Sequence, residues 1–210
     1  MGMLDWGSLI LFVGTAVVLI LIPGPDLIFT VTTGMTYGRR AGVVTALGLS
    51  LGNIVHTLAA ALGLSLIITT SEVIFTLFKL CGAAYLFYLA VQSISHRKDF
   101  LDWTQGEITS SKQLFGRALL MNMLNPKVAI FFLTFLPQFV NYRQGVVWLQ
   151  MCFLGGIFIV LTAFIFGLFG YFAGQLRERF LTKPGVQKLM HMVAAIIYVF
   201  LGILLLFTKV

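Results

Sequence analysis

The sequence predicts an all-α integral membrane protein: six transmembrane helices forming two inverted three-helix repeats, with the first helix of each repeat broken. Three observations carry that expectation. Of 210 residues, 59% are hydrophobic and only 10% charged, with a mean hydropathy of +0.99. Soluble domains hold roughly a quarter charged residues, so the solvent of this chain has to be lipid. The apolar residues fall into six runs, each at least as long as the roughly 20 residues that span a bilayer. The first and fourth runs are interrupted by proline beside a charge. This composition excludes a soluble enzyme and disfavours a nucleic-acid binder. The net charge of +7 comes from basic residues at the ends of apolar runs, the pattern of a membrane protein facing an anionic leaflet.

The runs, in order, are Ser8–Thr33, Ala41–Thr70, Val73–Ile94, Leu114–Val140, Gln144–Gly174 and Leu189–Thr208. The first follows Asp5 with no Lys or Arg, and no small-residue cleavage pattern succeeds it. It is therefore expected to remain in the mature protein, not to act as a secretory signal. The second and fifth runs are long enough to tilt or kink. Connectors are short except the polar stretch Ser95–Gln113. A single membrane domain over 1–210 is expected, with repeat one at about 8–94, a loop at about 95–113 and repeat two at about 114–208. The first, third and fifth connectors with their edges hold Arg39, Arg40, Arg97, Lys98, Lys112, Arg117, Arg177, Arg179, Lys183 and Lys188. The second connector has no basic residue, and the fourth has Arg143 alone. Positive-inside bias puts the odd connectors in the cytoplasm.

Three spans per half mean that the halves insert with opposite orientation, a common plan of secondary transporters. Pro23-Gly24-Pro25-Asp26 in the first run and Asn125-Pro126-Lys127 in the fourth echo each other. Proline removes a backbone donor and clashes with the preceding turn, so each motif should end one half-helix and start another. Asp26 would then sit near the positive start of its half-helix, and Asn125 would cap the other.

An ionised side chain in hydrocarbon costs about 2.5–3.5 kcal/mol even on lenient scales, so Asp26 and Lys127 should face a polar interior. Two readings fit them. Together they complement a zwitterion, Asp26 meeting an ammonium and Lys127 a carboxylate; or they form a structural ion pair between the halves. Lys79 either contributes to the site or snorkels to the outer surface. His56 shares a helix face with Asn53 and reads as a proton relay or as interhelical glue. Asn122 and Gln138 flank the second break as candidate cavity residues. Gly48-x-x-x-Gly52 and Gly170-x-x-x-Gly174 read as close helix packing. No catalytic motif, metal-ligand pattern or cofactor signature is expected. Cys81 and Cys152 lie in apolar runs and fit buried small side chains.

These residues together resemble the lysine-exporter/RhtB-type amino-acid exporters. The resemblance rests on Pro23-Gly24-Pro25-Asp26, Gly38-Arg39-Arg40-Ala41-Gly42, Gly48-x-x-x-Gly52 with His56, and Lys79-Leu80-Cys81-Gly82-Ala83-Ala84-Tyr85-Leu86. Its most specific stretch runs from Asn125-Pro126-Lys127 through Phe131-Phe132 to Phe135-Leu136-Pro137-Gln138-Phe139. From Gln144 onward the match is mainly one of hydropathy. The resemblance implies a multi-pass bacterial inner-membrane exporter of amino acids, driven by the proton gradient as an antiporter and often a homo-oligomer. Pro23, Gly24, Pro25, Asp26, Asn125, Pro126 and Lys127 would be its central transport residues. Two other classes stay open: an intramembrane thiol-redox protein using Cys81 and Cys152, and a passive small-solute channel.

Overall fold

A computed structural model describes residues 5–64, 72–95, 110–142, 145–173 and 184–207, and among these every regular element is helical. Helix α1 (Trp6–Leu21) starts where the Asp5 carboxylate accepts from the backbone N–H groups of Gly7 and Ser8, at 3.2 and 3.3 Å. Such a cap satisfies donors that a helix start otherwise leaves orphaned. Helix α2 (Pro25–Tyr37) follows after a bend of 58°. Helix α3 (Arg39–Leu58) runs on through a π-helical segment, Ala59–Leu64. Helix α4 is Glu72–Ser95. Helix α5 (Ser111–Met123) is capped by Ser110, whose hydroxyl accepts from the Gln113 N–H at 3.3 Å. Helix α6 (Pro126–Ile130) continues as a π turn, Phe131–Phe135, and a 3-10 turn, Leu136–Phe139; it is bent 47° from α5. Helices α7 (Val147–Tyr171) and α8 (Pro184–Phe207) complete the chain.

Each of the six apolar runs is thus mainly helical over its described residues. Arg39–Gly63 and Val147–Tyr171, 25 residues apiece, are long and apolar enough to cross a membrane; the bent pairs α1–α2 and α5–α6 raise the number to four if each is one broken span. Most of the 95–113 loop lies outside the described residues, as do Arg177, Arg179 and Lys183.

The α3 and α7 helices pack on each other at the centre. Around them, α3 packs on α2 and α5, α7 packs on α1 and α2, and α4 pairs with α8. Glycine makes the tightest crossings possible. A Cβ on Gly42 would lie 2.5 Å from the Gly170 carbonyl oxygen, and one on Gly34 would lie 2.4 Å from the same atom. Helices α2, α3 and α7 therefore meet backbone to backbone at Gly170. The Gly48 and Gly52 pair seats α5, with Gly48 against the Phe115 carbonyl and Ala118, and Gly52 against the Asn122 side chain. A methyl group at Gly170 would meet the Gly42 backbone, at 2.6–2.9 Å, with no flexible side chain to yield. Gly170→Ala is expected to cost about 1–3 kcal/mol, typical of overpacking. Thermal unfolding of the purified protein in detergent measures it; an unchanged melting temperature would contradict this packing.

Candidate functional site

Both helix breaks follow from missing backbone donors. Pro23 cannot donate to the Leu19 carbonyl, nor Pro25 to the Leu21 carbonyl, so α1 ends at Leu21 and Ile22 turns extended (φ −61°, ψ 122°). Pro126 likewise cannot donate to the Asn122 carbonyl. Leu124 ends α5, and Asn125 starts α6 with its Oδ1 accepting from the Lys127 N–H at 3.0 Å. Proline at the first position of α2 and of α6 costs nothing, because that N–H has no helical partner.

In an apolar interior a freed carbonyl needs a donor. Lys127 supplies one across the halves. Its Nζ donates to Leu19 O at 3.2 Å and Ile22 O at 3.1 Å, the carbonyl end of α1, where the helix dipole favours a cation. Gly24 makes room for it: a Cβ there would lie 3.2 Å from Lys127 Nζ. The Asn122 carbonyl accepts from the Asn125 N–H at 2.9 Å and from His56 Nε2 at 2.9 Å. A carbonyl only accepts, so the His56 tautomer carries its proton on Nε2.

Asp26, in the first turn of α2, is 3% exposed. Its Oδ2 accepts from Asn122 Nδ2 at 2.8 Å. Its Oδ1 meets no donor in good hydrogen-bond geometry, although the Asn125 side chain acts on the carboxyl, and among the described residues Asn53 Oδ1, Asn122 Oδ1, Asn125 Nδ2 and Thr33 Oγ1 likewise lack a well-formed hydrogen bond. Each unmatched buried polar atom costs about 1–3 kcal/mol, so the meeting of three of these residues, Asp26, Asn53 and Asn122, at one cavity is a feature to be explained. Asp26, Lys127, Asn53, Asn122 and Thr162 line one cavity, closed on the α7 side by Phe158 and Phe166. It has room for about one water molecule. No hydrogen bond or ion pair joins Asp26 to Lys127 among the described residues; each is held by other groups.

The sequence-predicted residues separate accordingly. Asp26, Asn53, Asn122 and Lys127 meet at the cavity. Pro23, Gly24, Pro25, Asn125 and Pro126 build the two breaks around it. His56 stands behind Asn122, with its ring 5.9 Å from that of Phe132. Gln138 does not line the cavity; its Nε2 donates to Thr134 O at 2.9 Å on its own helix. The backbone of Lys79 belongs to α4, but its side chain lies outside the described residues. Thr162 escaped the sequence reading. Its signal is faint, a lone hydroxyl midway along the α7 run, with Oγ1 donating to Phe158 O at 2.8 Å. Cys81 and Cys152 are free thiols. No group of three or more His, Cys, Asp or Glu could hold a metal ion among the described residues.

The chain matches the LysE type translocator family over residues 17–209. It belongs to that family. Members of the family are transporters and not enzymes. Among similar proteins, an uncharacterized membrane protein of Bacillus subtilis, YrhP, is 34% identical over 93% of this chain and 97% of its own length. A leucine efflux protein of Enterobacter sp. is 29% identical, covering 85% of each chain. A homoserine/homoserine lactone efflux protein of Salmonella typhimurium is 33% identical over 62% of this chain and 63% of its own. No solved structure matches.

Proposed function

We propose that this translocator exports small amino acids or close analogues across the bacterial inner membrane, with the cavity between the two breaks as its substrate site. The observation that carries the reading is the meeting of Asp26 and Lys127, from opposite halves, beside buried polar atoms that lack a well-formed hydrogen bond. Asp26 Oδ1 offers an acceptor for a substrate ammonium. The efflux relatives named for leucine and for homoserine or its lactone support an aminated substrate of this size.

Six spans in two inverted repeats fit the packing. In that plan a twofold axis in the membrane plane would relate α1–α2, α3 and α4 to α5–α6, α7 and α8. It maps α3 on α7 and α4 on α8 onto themselves, and exchanges α3 on α5 with α7 on α1–α2; all of these contacts are present. A space for about one water is too small for an amino acid, so loading requires the halves to part around the breaks. Opening to each side in turn is alternating access, and inverted repeats perform it by rocking. Asp26 is the acid at the cavity, so proton antiport would run through exchange of a proton for the ammonium on this carboxylate.

Everted membrane vesicles turn export into uptake and test the reading. A panel of labelled amino acids should include one that accumulates above its external concentration only with an imposed acid-inside gradient. Flux that only equilibrates would show a channel. Loss of flux in Cys81→Ala/Cys152→Ala would favour thiol chemistry.

A further inference from the structure

The two helix breaks are held by an exchange of side chains. Pro23 deprives Leu19 O of its donor, and Lys127 of the second half supplies one at 3.2 Å. Pro126 deprives Asn122 O of its helical donor; the Asn125 N–H reaches it at 2.9 Å, and His56 of the first half adds a second donor at 2.9 Å. Each half thus completes the interrupted helix of the other. Both donors are buried, at 6% exposure for His56 and 7% for Lys127, so neither carbonyl has bulk water as a substitute.

We infer that His56 is a positioning residue, the counterpart of Lys127, whose Nε2–H pins the second break and through it orients Asn122 against Asp26. The connection is short. His56 holds the Asn122 backbone at 2.9 Å, and the Asn122 side chain donates to Asp26 Oδ2 at 2.8 Å. Packing leaves Asn122 little freedom to compensate, because Gly52 lies against its side chain with no Cβ of its own. His56 Nε2 is committed to a carbonyl, and a carbonyl takes no proton, so this geometry gives Nε2 a donor's role and no proton passes through it to Asn122. The site then depends on two cross-half donors. Opening the cavity by moving one half against the other must strain or release both together.

The inference concerns backbone satisfaction, so it can be tested whatever the substrate is. His56→Gln keeps an N–H donor of similar reach; His56→Leu keeps volume and removes it. Pro126→Ala restores the missing backbone donor to Asn122 O. In purified protein, His56→Leu should lower the melting temperature by about 3 °C or more, consistent with one lost buried hydrogen bond in a chain of this size. His56→Gln should recover at least half of that loss. In the Pro126→Ala background, His56→Leu should cost less than half of what it costs alone. Equal melting of His56→Gln and His56→Leu would overturn the inference, as would an equal loss in both backgrounds. If His56→Leu does not accumulate, recovery of protein in His56→Leu/Pro126→Ala supports it and failure to recover overturns it. Export adds a second arm: His56→Gln should transport within about threefold of wild type. A His56→Gln protein as stable as wild type that exports nothing would assign the ring to proton transfer instead.

Discussion

Replacing Asp26 with asparagine is expected to lower export at least about 100-fold while the protein still accumulates in the membrane. The substitution keeps shape. An asparagine carbonyl can accept the Asn122 N–H that Asp26 Oδ2 accepts at 2.8 Å, so the contact between α2 and α5 survives. What disappears is the negative charge. Removing one partner of a buried, hydrogen-bonded charge pair commonly costs 2–5 kcal/mol. A loss of about 2.7 kcal/mol in holding an ammonium is already about 100-fold. The same change would remove the proposed proton carrier, so substrate and coupling should fail together. Initial rates of labelled amino-acid uptake into everted vesicles, normalised to protein amount, measure it. A rate within threefold of wild type would take Asp26 out of the substrate site.

Lys127→Met is expected to act differently, through the fold. The lysine donates to Leu19 O and Ile22 O at the end of α1, and methionine fills similar space without a donor. Two carbonyls would be stranded in a buried site, at about 1–3 kcal/mol each. The expected cost of about 2–6 kcal/mol is large against the marginal stability of most proteins. Membrane levels should fall several-fold, and the remaining protein should melt early. Pro23→Ala in the same chain should recover part of the stability by returning an N–H to Leu19 O. Lys127→Met at wild-type levels with wild-type melting would show that these carbonyls need no cap.

The contrast between these two residues shows what the sequence could and could not disclose. The breaks were legible because proline lacks a donor wherever it stands, and Asp26 and Lys127 were legible because charge in an apolar run must find a polar interior. The partner of Lys127 was not legible. It is a pair of backbone carbonyls in the other half, and carbonyls have no letter in the sequence. A zwitterion clamp therefore looked natural for a lysine that also has structural work at the first break. His56 reads as relay or glue from its letter alone; the carbonyl opposite its Nε2, which has no letter either, is what motivates a donor's role. Thr162 stayed hidden for a third reason, since one hydroxyl barely changes the hydropathy of Val147–Tyr171, the more apolar of the two long helices. The glycine motifs pointed to close packing, yet the closest approach joins Gly170 to Gly42 and Gly34, a pairing that no spacing along one helix could announce.

Thr162 also offers the most direct test, because it views the cavity from α7, an element with no part in either break. In a chain carrying Cys81→Ala and Cys152→Ala, a single cysteine at position 162 can be labelled with a small permeant maleimide. An exported amino acid should slow that labelling in proportion to its occupancy, a non-exported one should not, and Asp26→Asn should abolish the protection. Labelling that proceeds at one rate with and without an exported amino acid would mean that substrate passes elsewhere, and that the two breaks only shape the bundle.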